Sequence, residues 1–226
     1  MSDARVPTLG VIVFPPCEGI TVHAGPTQAG GASVAWLANL LGHEPAVIGE
    51  LAARGDPKRA SPIFLPHLLG ERAPLWDIAA RGAFAGLDAS MGAPELARAV
   101  LEGVAYSARW LFEALAASAD TSPNRLRHAG GGAQSPHWCQ IRADVLGRPI
   151  ERLRALDAGL VGAAMLAGLG AGLFASPAEA AIRMARVERT FEPDPAETAR
   201  HDEGFARYVE LYGRLKGFRT AGSNLR

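Results

Sequence analysis

Between Pro94 and Pro123 the chain carries one long amphipathic pattern. Leu96, Val100, Leu101, Val104, Ala108, Leu111, Phe112 and Leu115 recur at helical spacing. On a helical wheel Glu95, Arg98, Glu102, Arg109 and Glu113 gather within about 60° on the other side, which predicts a solvated face. Pro94 suits the first turn and Pro123 lies past the end. A stripe of this length has to be buried against another layer of structure.

The other elements supply that layer. Upstream, Leu9–Phe14 and Gly19–His23 read as two short strands of a hairpin, and Gln28–Leu41 as a helix. Residues 51–61 are polar and carry Arg54-Gly55-Asp56-Pro57, a loop signal. Ile63–Leu65 is a short apolar run. Pro66–Arg81 is a long irregular stretch of the kind that tends to be functional or mobile. Gly82–Leu87 reads as a strand. Downstream the pattern alternates: a strand at Arg125–Ala129, then a helix at Ser135–Leu146 with Ser135 as its cap, Pro136 at its first position and Gly147 at its end. A strand at Pro149–Leu153, a helix from Asp157 to Leu169, a helix from Ser176 to about Arg186 and a final helix at Ala196–Lys216 follow. The order predicts an α/β fold with one layered sheet over residues 1–226, ordered from about 8 to 217, without an internal domain boundary or repeat. A hairpin followed by alternating strands and helices is the order of a ribonuclease H-like (actin-like ATPase) domain, with a mixed sheet flanked by helices.

Composition excludes several classes. Lys plus Arg and Asp plus Glu both number 23, so the chain lacks the basic excess of a generic nucleic-acid binder. The two cysteines, Cys17 and Cys139, form no disulfide framework, and neither they nor the six histidines show metal-ligand spacing. No apolar run approaches the ~20 residues of a membrane span, and no signal core follows Met1-Ser2-Asp3-Ala4-Arg5, so a cytoplasmic location is expected. The 43 alanines, set beside only two lysines, indicate a coding bias; alanine-rich stretches therefore count as helix only where periodicity agrees.

The most informative local motif is Gly130-Gly131-Gly132-Ala133-Gln134-Ser135-Pro136, set between a strand and a helix start. Glycines let a ligand approach the backbone, and the helix that follows offers free N–H groups and the positive end of its dipole. The same residues could form a plain tight turn. No Gly-x-x-x-x-Gly-Lys-Ser/Thr run is present, which excludes a P-loop.

Residues 130–150 resemble the nucleotide-binding segment of FGGY-family carbohydrate kinases, above all their xylulokinase-like members. Gly82-x-Phe84-x-Gly86-Leu87 followed by Glu95-Leu96-x-x-Ala99-Val100-Leu101-Glu102 resembles the signature of that family's C-terminal domain. Gly70-Glu71-Arg72-Ala73-Pro74, residues 79–82 and residues 162–167 fit as well, and the resemblance runs from about Thr8 to Gly217.

The resemblance implies an ATP- and Mg²⁺-dependent kinase, in which two actin-like domains enclose a cleft and a sugar or polyol hydroxyl receives the γ-phosphate. A xylulose-like pentulose is the favoured acceptor. Carried over, Gly131, Gly132, Ala133 and Ser135 lie against ATP or ADP, and Gly30 and Gly31 form a second glycine turn near the phosphates. Thr8 matches a phosphate-hairpin threonine, but it sits in Pro7-Thr8-Leu9-Gly10, where the flanking Gly and Ser of the family are replaced and Pro7 has no N–H to donate. The family's Asp-x-Gly-Thr loop, sugar pocket and catalytic base belong to an N-terminal half that is not found here. No catalytic residue or metal ligand is therefore expected in this chain, and autonomous turnover is not expected.

Glu71, Arg72 and Asp77 in the long loop are the candidates to line the cleft. Glu102 is read as a solvated i,i+4 partner, Asp144 as structural, Trp138 and Cys139 as core-facing, and His137 as a neighbour of the glycine turn. Three roles remain open: half of a split kinase with a separately encoded N-terminal partner, a degenerate nucleotide-binding or interaction module, or a gene remnant. A lone lobe should also expose apolar surface around Ile63–Pro74 and Gly30–Val34, which favours a homo-oligomer.

Overall fold

The computed structural model describes residues 10–16, 19–28, 30–56, 59–155 and 157–216. The N-terminal hairpin is short: β1 (Ile12–Val13) pairs antiparallel with β2 (His23–Ala24). Helices α1 (Gly31–Leu41) and α2 (Val47–Ala53) follow, then β3 (Ile63–Leu65), which pairs antiparallel with β4 (Ala83–Ala85) across the long loop. The long helix α3 (Ala93–Ala119) crosses behind them. Beyond it, β5 (Leu126–His128), α4 (Pro136–Leu146), β6 (Ile150–Leu153), α5 (Ala158–Gly170), α6 (Pro177–Met184), β7 (Val187–Phe191) and α7 (Pro195–Leu215) complete the described chain.

The strands do not join into the one sheet that their order suggests. Among the described residues they form two two-stranded hairpins and one mixed sheet, in which β5 and β6 run parallel and β6 and β7 antiparallel. The main core lies between α3, β3 and the first two helices: Leu37, Ile48, Phe64, Leu65, Leu101 and Val104 are each at most 1% exposed. A smaller core of Cys139, Ala143, Ile150 and Phe191 lies where α4 covers the mixed sheet.

Two elements depart from the sequence reading. Helix α2 replaces the start of the expected polar loop, because Ile48, Leu51 and Ala52 share a face that packs into the main core. Strand β7 arises just past the helix expected to end near Arg186, in a stretch to which the sequence reading assigns no element, and its charged VERTF sequence buries only Phe191. The charged side of α3 is also not uniformly solvated. Arg98 and Glu102 are buried and pair at 2.9 Å, because the loop before β3 and helix α7 cover them. Arg98 donates to the Asp56 carbonyl at 2.8 Å, and Arg200 of α7 approaches Glu102 at 3.5 Å. Arg109 and Glu113 are the more open part of that face.

The exposed apolar surface coincides only in part with the expected one, where Leu69, Gly31 and Ala32 are exposed. Ile63, Phe64, Leu65 and Ala73 are buried, as are Ser33 and Val34. The large exposed apolar side chains include Ile12, Val13 and Phe14 on the hairpin, and Leu160, Leu166, Leu173 and Ile182 on and around the α5–α6 pair.

Candidate functional site

The glycine corner is built by the chain turning sharply out of β5. Gly130 holds φ at +84°, a left-handed conformation that side chains resist, and Gly131–Gln134 then form one turn of 3₁₀ helix. The Ala133 N–H donates to the Gly130 carbonyl at 3.0 Å. Ser135 caps α4, its Oγ accepting from the Trp138 N–H at 3.3 Å, and Pro136 takes the first helical position.

The glycines differ in what they face. A Cβ on Gly131 would meet nothing within 4 Å, whereas one on Gly132 would come 2.8 Å from the Trp138 ring. Gly131 is thus open backbone, and Gly132 is the glycine that lets the indole lie flat against the turn. The start of α1 repeats the open arrangement: Gly30 and Gly31 both face free space, and no side chain caps this helix.

These two helix entrances open on one cavity of about 830 Å³. Gly31 and Val34 of α1, Gly49 and Ala53 of α2, Leu101 of α3 and the run from Gly131 to Trp138, apart from Ala133, are among its lining residues. A second cavity of about 580 Å³ lies on the other side of Gly131, against Ala129, Asp157 and Gly159. Neither α1 nor α4 has an acidic residue in its first turn. Two positive helix ends therefore meet walls that are mostly apolar, with Glu50, Gln134 and His137 as the larger polar members, an arrangement suited to an anionic group joined to a flat apolar one. His137 stands in the wall with its Nε2 buried and unpartnered, and burial together with nearby Arg98 pushes its pKa down, so the ring is neutral at pH 7. Among the described residues no group of His, Cys, Asp and Glu is disposed to hold a metal ion.

Gly31, Gly131, Gly132 and Ser135 are thus brought together on one cavity, with Gly30 beside it. Ser135 also packs against α2, where Gly49 has no room for a Cβ. Ala133 departs from expectation: it is fully buried and lies in the core beneath the turn, because the 3₁₀ turn rotates its methyl inward. Thr8 lies outside the described residues.

The loop candidates separate into different roles. Glu71 does not line a cleft: it is 3% exposed, and its Oε1 accepts from Thr27 Oγ1 at 3.0 Å, Gln28 N–H at 2.7 Å and Arg72 N–H at 2.9 Å. Its Oε2 lies 3.1 Å from His67 Nδ1. Burial pushes this carboxyl up, but the hydrogen bonds from His67, Gln28 and Arg72 outweigh it and hold the pKa low. Asp77 stabilises the loop, accepting from the Ala79 and Ala80 N–H groups and from the Tyr212 hydroxyl at 2.9 Å. Arg72 is exposed and forms no ion pair among the described residues.

Trp138 and Cys139 are buried in the core, and Asp144 is a buried structural acceptor for Gln140 and the Asp194 N–H. Sequence reasoning missed the α2 wall of the cavity, although Ile48, Leu51 and Ala52 carry the helical spacing that marks it. It also missed the second cavity at Asp157–Gly159, for which the aspartate cap was the available signal.

The FGGY family of carbohydrate kinases, C-terminal domain, matches residues 21–171. A glycerol kinase from Gloeobacter violaceus is 41% identical over 163 residues, covering 72% of this chain and 33% of that kinase. A xylulose kinase from Staphylococcus epidermidis is 31% identical over 196 residues, covering 85% of this chain and 39% of that kinase. The crystal structure of ligand-bound xylulose kinase from Lactobacillus acidophilus superposes with a TM-score of 0.83 at 29% identity, covering 92% of this chain and 42% of that one. The chain thus spans well under half the length of these relatives, and its fold is the actin-like ATPase fold that they share. Open glycine backbone at two helix entrances, the matching domain and the shared fold agree: the chain belongs to the FGGY family of carbohydrate kinases and carries the family's C-terminal domain.

Proposed function

We propose that this chain is the ATP-binding half of a carbohydrate kinase and that the cavity between α1, α2 and the glycine corner takes the nucleotide. The observation that carries this reading is the pair of open glycine entrances, Gly31 and Gly131, on a single cavity. The adenosine lies against Val34, Ala53 and Leu101, and the phosphates lie along the N–H groups at Gly30–Gly31 and Gly131–Gly132. Ser135 supports the site by fixing the start of α4. In this reading Ala133 acts through the backbone alone.

When bound, Mg²⁺ would supply positive charge that offsets the phosphates. The described residues offer it no carboxylate cluster, so the ion would be carried by the nucleotide. What this chain does is bind, orient and partly desolvate ATP. The acceptor hydroxyl and the base that deprotonates it come from outside these 226 residues, from a separately encoded half or a longer parent chain. The acceptor is a polyol or pentulose, with a xylulose-like pentulose in first place and glycerol, the substrate in the names of several relatives, as the competitor. The setting is the cytoplasm; no helix among the described residues is long and apolar enough to cross a membrane.

A second reading, a nucleotide-binding module without catalysis, is favoured by Pro7 and Leu9 around Thr8, which remove a donor from the phosphate hairpin.

Calorimetric titration with ADP tests the reading. The chain should bind ADP. G131A, which adds a methyl where there is free space, should fold as stably as the parent and bind about ten-fold more weakly or worse. Unchanged affinity in G131A would remove the cavity from the argument. With an N-terminal half of the family added, turnover dependent on xylulose or glycerol separates the kinase from the non-catalytic module.

A further inference from the structure

We propose that Glu71 is a positioning residue that holds the phosphate end of the cavity in place through Thr27 and Gln28. The inference rests on the nucleotide reading above and adds a residue that does not touch the ligand. Its starting point is the way the long loop grips the approach to α1. The Ala73 N–H donates to the Pro26 carbonyl at 2.9 Å, Glu71 accepts from Thr27 and Gln28, and Ser33 Oγ donates to the Pro66 carbonyl at 3.3 Å. Pro26, Thr27 and Gln28 on one side of the Gly30–Gly31 entrance and Ser33 on the other are therefore fastened to the loop.

Glu71 is the charged member of this set, and it is itself immobilised. A carboxylate only accepts, so His67 Nδ1 carries the proton shared with Glu71 Oε2, and His67 Nε2 accepts from the Tyr208 hydroxyl at 3.2 Å. Glu71, His67 and Tyr208 are 3%, 1% and 0% exposed. A row of three buried side chains thus runs from α7 to the backbone N–H of Gln28. One anionic oxygen satisfies three donors at once there, which a neutral side chain does less well. Loss of the carboxylate should free residues 27–28 and, with them, the backbone N–H groups at Gly30 and Gly31. Apolar contacts at Val34 and Leu101 should be unaffected, because both are anchored in the main core.

The test compares ADP with adenosine, titrated into the full chain by calorimetry and followed at the Gly30 and Gly31 amides by NMR. E71A should weaken ADP about ten-fold and leave adenosine within about two-fold. E71Q should keep more of the ADP affinity, since its oxygen can still accept from Gln28 while His67 changes tautomer. Parallel losses for ADP and adenosine, or no loss for either, would overturn the positioning role. A parent chain that binds neither ligand would overturn the nucleotide reading itself and the inference with it. If E71A does not fold, T27V decides: about a three-fold loss confined to ADP supports the role, and an unchanged ratio of the two affinities refutes it.

Discussion

His201 shows how far side-chain chemistry is determined by its neighbours here. Arg200 can only donate, so His201 Nε2, 3.2 Å away, is the acceptor, and Nδ1–H donates to the Tyr106 oxygen at 2.9 Å. A second ring proton has no acceptor. Burial, reinforced by Arg200, Arg98 and Arg109, pushes the pKa down to about 3, against 6.5 for a free histidine. The stability that comes from keeping the ring neutral is complete above pH 6.5 and is lost as pH falls towards 3. Urea unfolding over this range should show a steeper loss in the parent than in His201→Asn, which has nothing to protonate. Asp144 gives a complementary case. Burial raises its pKa despite hydrogen bonds from Asp194 and Gln140, so the charge adds little and the acceptor oxygen adds much. D144N should melt within a degree or two of the parent or above it, while D144A should lose about 1–3 kcal/mol. A larger loss in D144N would show that the charge itself matters.

At the scale of elements, the distance between α3 and β3 is set by one residue. A Cβ on Gly103 would overlap the Phe64 carbonyl, which is backbone and cannot step aside. G103A should therefore lower stability by about 1–3 kcal/mol in thermal or denaturant melts, in contrast to the open Gly131. The helices with strong end signals were legible in the sequence: Ser135 and Gly147 bound α4, and Asp157 and Ser176 cap α5 and α6 by side-chain hydrogen bonds, whereas the Asp194 cap of α7 was not read. A cap is a local interaction, so local sequence encodes it. Helix α2 was hidden by the loop signal at Arg54-Gly55-Asp56-Pro57, and β7 by a charged sequence that only pairing with β6 makes a strand. The buried Arg98–Glu102 pair was unreadable for a similar reason, since periodicity places both on a polar face and only distant segments, the loop before β3 and α7 nearly a hundred residues further on, cover them. Of the cavity, the two glycine entrances were legible, and their meeting on a single space was not.

At the scale of the whole molecule, the described surface is unevenly apolar. Leu160, Leu166, Leu173 and Ile182 are all at least 68% exposed, and α5 carries no charged residue to keep neighbours apart. Sedimentation velocity should show self-association that rises with concentration, and Leu160→Glu with Ile182→Glu should reduce it. A concentration-independent monomer would show that this surface is inert. The long-range ties have a consequence for biosynthesis as well. His67 and Asp77 receive their tyrosine hydroxyls from α7, which leaves the ribosome 135 to 141 residues after them. Until that helix emerges, His67 Nε2 and Asp77 Oδ2 lack their tyrosine hydroxyls, although Glu71 and the other Asp77 oxygen already have their partners within residues 27–80. A chain cut short before Tyr208 would keep these two atoms without their hydroxyl partners for its whole lifetime, a feature that sets the shortened product apart from the longer one.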